Sequence, residues 1–293
     1  MSRERGQGFG TLCLLVSAAC FGSMGIFARL AFGSGVDVPT LLLLRFATAA
    51  ILLWGLMLGG RLPLPRGRGL AMLVAMGAIG AGQAFCYFTA LAHVSAGLAA
   101  LLLYTYPALV ALLSRLGWKH PLNGRQLGAV AMALAGTVFI IGRAGDGDAV
   151  GIGLGLLAAL IYAVYILAGS RLPAEISPMG ATAVITSVSA LGFLGLVAMK
   201  GFHPPATGAG VLAIAAIALV CTVFSILLFF AGLKRVGPVS ASVFSTLEPL
   251  CAVLLGAAVL GERVTGARLL GGALIAGAVV LLATSGQRHL GSA

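Results

Sequence analysis

Apolar residues run through this chain in blocks of about 17 to 25, the length that crosses roughly 30 Å of hydrocarbon, with short polar turns between them. Ten such blocks are predicted, at about 9 to 30, 38 to 58, 69 to 90, 95 to 114, 124 to 142, 150 to 169, 177 to 199, 209 to 231, 237 to 260 and 266 to 285. None shows the strict apolar–polar alternation of a strand. A lipid-exposed backbone must also satisfy its own hydrogen bonds, so each block is predicted to be a helix. Connections as short as Ala92 to Val94 make consecutive helices antiparallel. The first block continues past Cys20 to about Phe32, which reads as an uncleaved span rather than a signal peptide.

The pattern repeats. "YFTALAHVSAGLAALLLYTYPALVALL" (87 to 113) aligns without a gap on "FFAGLKRVGPVSASVFSTLEPLCAVLL" (229 to 255), placing Pro107 on Pro249. "RQLGAVAMALAG" (125 to 136) likewise matches "RLLGGALIAGAV" (268 to 279), and the first span aligns more loosely on the sixth, with Phe21 opposite Tyr162. Five is an odd number of crossings, so the second copy enters the membrane from the opposite side. The fold expected is an all-α membrane protein of ten transmembrane helices in two inverted five-helix repeats, residues 1–146 and 147–293. Halves related in this way can exchange conformations, which is a route to alternating access at a site near the midplane.

Composition agrees: 60% of the 293 residues are hydrophobic and 9% charged, with a mean hydropathy of +1.11. The net charge of +11 is explained by topology rather than by a nucleic-acid partner, because the basic residues lie in the turns. With the N-terminus inside, the inner segments carry Arg3, Arg5, Arg61, Arg66, Arg68, Arg115, Lys119, Arg125, Arg171, Lys234, Arg235 and Arg288. The outer segments carry only Arg29, Arg143, Lys200, Arg263 and Arg268. That bias places both termini in the cytoplasm, although it comes mainly from the first half.

Chemistry-bearing motifs are sparse. The five cysteines lie inside apolar blocks without a CxxC pair and read as small hydrophobes, so neither metal nor cofactor is expected. "GIGLG" (151 to 155) has GxxxG spacing for close helix packing and no following P-loop lysine. Asp37, Asp146 and Asp148 fall in loops, and no HExxH or GxSxG occurs, which counts against a membrane-embedded enzyme. A noncatalytic assembly subunit is the other alternative. Trp54 and Trp118 read as interfacial anchors, and His93, His120, His203 and His289 as solvated turn residues.

Two ionisable side chains fall within spans. Glu248 is about 16 Å above the start of its span and Arg45 about 10 Å below the outer face, so each must face protein or water. Glu248 is open to two readings: a coupling or ammonium-binding carboxylate, or a structural Glu–Pro cap paired with Arg45. Pro107 and Pro249 are candidate hinges or static kinks. Tyrosine prefers the interface, yet Tyr104, Tyr106, Tyr162 and Tyr165 are central in their spans, with Tyr87 and Gln83 one turn apart nearby. With Phe224, Ser225, Ser242, Phe244 and Thr246 they form a candidate substrate pocket for a large flat side chain with a polar head. No basic residue is expected at the centre, which points to a neutral, zwitterionic or cationic substrate.

The paired Pro107 and "LEPLCAVLLGAAVLGE" segments, the inverted repeat and Arg45 in "LLLLRFATAA" resemble the EamA branch of the drug/metabolite transporter superfamily, over about residues 10 to 285. Within it the chain most resembles bacterial exporters of aromatic amino acids. The resemblance implies a multi-pass inner-membrane secondary transporter for a small-molecule substrate, needing no cofactor and able to work as a monomer. The sequence departs from the family pattern with Phe21-Gly22 where Trp-Gly is frequent, and with Lys119-His120 where the ninth-span copy has Gly261-Glu262.

Overall fold

The computed structural model describes residues 2–60, 62–94, 102–116, 123–141, 148–260 and 265–288. Among these it contains helices and turns and no strand. In chain order they are α1 (Ser2–Gly22), α2 (Met24–Phe32), α3 (Val38–Gly59), α4 (Gly67–His93), α5 (Tyr106–Leu116), α6 (Gly124–Ile141) and α7 (Ala149–Ser170). Then follow α8 (Pro178–Lys200), α9 (Gly208–Ala218), a π-helical turn (Leu219–Phe224), α10 (Ser225–Val236), α11 (Pro238–Ser245), α12 (Leu247–Leu260) and α13 (Gly266–Arg288). Six described stretches are long and apolar enough to cross a membrane: Gly6–Phe32, Val38–Gly59, Gly67–Ala90, Ala149–Ser170, Pro178–Lys200 and Gly208–Val236.

Helix starts follow side-chain chemistry. Asp37, Asp148, Ser177 and Thr207 each accept the backbone N–H three residues on, at 3.1, 2.7, 3.0 and 3.1 Å, satisfying donors that a helix start leaves open. The Asp148 carboxyl is held below its ordinary range, first by the Gly151 N–H and then by His93, whose Nδ1 lies 2.9 Å away. His203 approaches Asp37 at 3.6 Å, so both of these turn histidines engage an aspartate. His120, His289, Trp118 and Asp146 lie outside the described residues.

Four irregularities interrupt spans expected to be continuous. The first span breaks at Ser23, the ninth at Thr246, the fourth immediately before Tyr106, and the eighth passes through the π turn. The breaks beside Tyr106 and Thr246 share a cause. Pro107 and Pro249 lack the N–H that a continuing helix needs, but proline is well suited to a first turn, so the helix restarts around each of them. Thr105 Oγ1 donates to the Leu102 carbonyl at 2.7 Å and Thr246 Oγ1 to that of Val243 at 2.6 Å, each beside the same threonine's backbone N–H, so the turn before each break is doubly held.

The helices pack in pairs that interchange when the two repeats are swapped: α1 with α10 and α4 with α7, α3 with α8, and α6 with α13. Small residues permit the closest approaches. A Cβ on Gly136 would stand 2.7 Å from the Gly271 carbonyl and 2.8 Å from Ile275 Cγ1, whereas one on Gly153 meets nothing within 4 Å. Gly136→Ala is therefore expected to force α6 from α13 at a cost of ~1–3 kcal/mol. Thermal unfolding in detergent checks this, with Gly153→Ala as the unchanged control. Gly151 and Gly155 take the close contacts their spacing suggests, against Val94 and His93 and against Leu102.

One end of the bundle, the base, holds the start of α1 and the turns around 60–66 and 171–177. Here one apolar core joins Leu14, Met76, Val110, Ile166, Phe230 and Phe244, with a second cluster around Leu53, Met57 and Ala183 beside it. At the opposite rim the core is divided, with one cluster around Val36, Leu41 and Ile214 and another around Phe46, Ala84 and Phe193. Lys234 reinforces the base, its Nζ donating to the carbonyls of Pro173, Ala174 and Ile176. Trp54 differs from the anchor expected of it. Its Nε1 donates to Ser187 Oγ at 2.8 Å, tying α3 to α8 inside the bundle.

Candidate functional site: a tyrosine-lined centre with one carboxylate

The restart at Pro249 puts Glu248 in the first turn of α12, where the free N–H groups of a helix start favour negative charge. Its side chain is only half-buried. Tyr104, on the broken segment of the other repeat, brings its hydroxyl close to the Glu248 carboxylate. Tyr87, Tyr106 and Tyr162 lie within electrostatic reach of the same carboxylate. Four tyrosines from three spans thus converge on one acid.

Their rings form a ladder. Tyr106 meets Tyr104 at 6.2 Å between centroids and Tyr162 edge-on at 4.7 Å; Tyr162 stacks on Tyr165 at 6.2 Å, and Tyr165 leans on Phe230 at 6.1 Å. Tyr106 is 1% exposed and its hydroxyl donates to the Ser242 carbonyl at 3.1 Å. Tyr104 and Tyr165 are also buried, whereas Gln83, Tyr87, Tyr162 and Glu248 remain half-buried. These four are mid-span groups with open surface. Tyr104, Tyr106 and Tyr165 are packed into the ladder, and Tyr162 keeps part of its surface open.

Several predicted lining residues serve the backbone instead. Thr246 and Ser242 donate to the carbonyls of Val243 and Val239, and Ser225 to that of Val220 at 2.9 Å. The Ser225 carbonyl also accepts from Ser17 Oγ at 2.8 Å, joining α10 to α1. Phe244 is 2% exposed within the base core. Phe224 is 50% exposed and shows no ring contact with the tyrosines among the described residues, so the structure separates it from them. Pro107 and Pro249 are both buried at the foot of the restarted helices.

Arg45 is 8% exposed. Its Nε donates to Thr222 Oγ1 at 2.7 Å and its Nη1 to Met24 Sδ at 3.1 Å, while Cζ sits 4.9 Å from the Phe46 ring centroid. Arg45 and Glu248 interact through space. Thr222, Met24 and Ser23 were not among the residues singled out from sequence. Thr222 is presented by the π turn, where its hydroxyl donates five residues back to Ile217 at 2.9 Å. Ser23, at the break between α1 and α2, contacts Cys221 Sγ of the same turn at 3.4 Å. The only advance sign of this junction is the hydroxyl-bearing "CTVFS" within an apolar block.

A helical membrane bundle built as two similar halves, with an acid within one span, has the architecture of a membrane carrier. The sequence profile of the EamA-like transporter family matches residues 8–142 and again residues 149–284, so the chain belongs to that family. A Bacillus subtilis (strain 168) protein, the uncharacterized transporter YcbK, is 29% identical over 275 residues, covering 87% of this chain and 86% of that protein. One solved crystal structure superposes with a TM-score of 0.79 over 97% of this chain and 99% of its own. At 24% identity that likeness speaks for the fold alone.

Proposed function

We propose that this transporter is a secondary carrier exporting amino acids, aromatic ones above all, across the bacterial inner membrane by alternating access. In this reading ten spans form two inverted repeats, 1–146 and 147–293, with both termini cytoplasmic and the monomer as the working unit. The observation that carries it is the half-buried Glu248 carboxylate among Tyr87, Tyr104, Tyr106 and Tyr162. A carboxylate fits a substrate ammonium, and half-exposed aromatic faces fit a flat apolar side chain. A family of small-metabolite carriers supplies the context.

With the basic turns inside, the base faces the cytoplasm and the opposite rim faces out. Pro107 and Pro249 act as hinges at matched positions. Replacing both with alanine restores the two missing N–H donors and is expected to slow exchange while leaving equilibrium substrate binding within about threefold, because uniform binding and conformational steps are separable. Stopped-flow exchange beside binding calorimetry checks that split.

The test of the overall reading is counterflow in proteoliposomes. Labelled phenylalanine accumulates against excess internal phenylalanine, tryptophan competes, and glutamate does not. Competition by glutamate equal to that by tryptophan contradicts the assignment.

A further inference from the structure

The Arg45 guanidinium is a full charge held inside the bundle by weak neighbours. Thr222 offers a neutral hydroxyl, Met24 a thioether, and Phe46 the face of its ring; a thioether is a poor acceptor. None of the three carries negative charge. Nη2, with two N–H donors, has no hydrogen-bond partner among the described residues. Nor is it sealed away, since the buried side-chain polar atom lacking a partner among those residues is Ser114 Oγ alone. An arginine near mid-membrane costs at least about 2.5 kcal/mol when nothing compensates it.

The carboxylate in electrostatic reach is Glu248, with the Tyr104 hydroxyl close by. The two charges thus lie near each other, with no salt bridge between them among the described residues. An α-amino acid carries a carboxylate and an ammonium on one carbon, and would bridge the two with complementary ends. Thr222 holds the fork in place for this: its own proton goes to Ile217, leaving its oxygen to accept from Nε. The Nη atoms are thereby turned away from the π turn.

We propose that Arg45 is the anchor for the substrate carboxylate, so that the carrier selects intact α-amino acids rather than amines of the same shape. Glu248 takes the ammonium, and the side chain lies along Tyr87 and Tyr162. This rests on the carrier reading given above and sharpens it. It also places one basic group at the site, where the sequence suggested none.

The test compares counterflow of labelled L-phenylalanine with that of L-phenylalaninamide at about pH 6, below the α-amino range, so that both carry the ammonium and only one carries the carboxylate. The wild type is expected to favour phenylalanine by about thirtyfold or more, the scale of losing a buried charged hydrogen-bond partner. Arg45→Gln, checked for native elution and helicity, loses phenylalanine exchange by a similar factor and keeps amide exchange within about threefold. A parallel fall in both substrates makes Arg45 a strut between α2 and the π turn and overturns the proposal, as does no change in either. If the variant does not fold, the wild-type ratio decides alone: equal exchange of acid and amide overturns the anchor. Exchange of neither compound by the wild type sinks the carrier reading itself.

Discussion

Glu248→Gln is expected to lower phenylalanine counterflow at subsaturating substrate by about thirtyfold or more, with the amount and helicity of the protein unchanged. The substitution keeps the shape of the side chain and leaves an amide oxygen able to accept from the neighbouring Tyr104 hydroxyl. What disappears is the charge that an ammonium would meet. Truncating one member of a buried, hydrogen-bonded charge pair costs about 2–5 kcal/mol, and each 1.4 kcal/mol is a factor of ten. Initial rates over a substrate series measure the effect. A variant that exchanges at the wild-type rate makes Glu248 a local cap at the Pro249 restart. A variant lost from the membrane makes it a folding residue.

The second large effect falls on stability. Tyr106 is 1% exposed, meets Tyr104 and Tyr162, and reaches across the repeats to the Ser242 carbonyl. Tyr106→Ala empties a ring-sized volume at the contact of the halves and is expected to cost ~3–5 kcal/mol. Tyr106→Phe keeps the ring and loses one hydrogen bond, a smaller penalty of ~0.5–1.5 kcal/mol. Detergent melting curves separate the two. An alanine variant as stable as the phenylalanine variant shows that the ring is not packed as described.

How far this site was legible in the sequence depends on which residue is considered. Glu248 and the tyrosines stood out because a charge or a phenol in mid-span demands a partner, and that demand is visible without coordinates. The paired prolines were equally plain, and the helix breaks beside them follow from the missing N–H. The π turn was not legible. It adds one residue to a helical turn, so each position beyond it rotates by about 100° relative to regular periodicity. Phe224 closes that turn and is half exposed, while Thr222, within it, reaches Arg45. Trp54 escaped for a different reason: nothing local marks Ser187, 133 residues away, as its partner. The ladder of rings likewise joins residues from three spans, and only the fold decides which of them pack and which keep open surface.

The central claim is that Gln83, Tyr87, Tyr162 and Glu248 share a wet space reached from one side of the membrane. It is tested most directly by single-cysteine labelling. In a chain whose five native cysteines are replaced, Gln83→Cys is expected to react with a membrane-impermeant maleimide added from the periplasmic side, and phenylalanine to slow that reaction. Met76→Cys, 1% exposed in the base core in the wild type, stays unreactive from that side. A cysteine at 83 that stays unreactive from both sides, with and without substrate, would contradict the account.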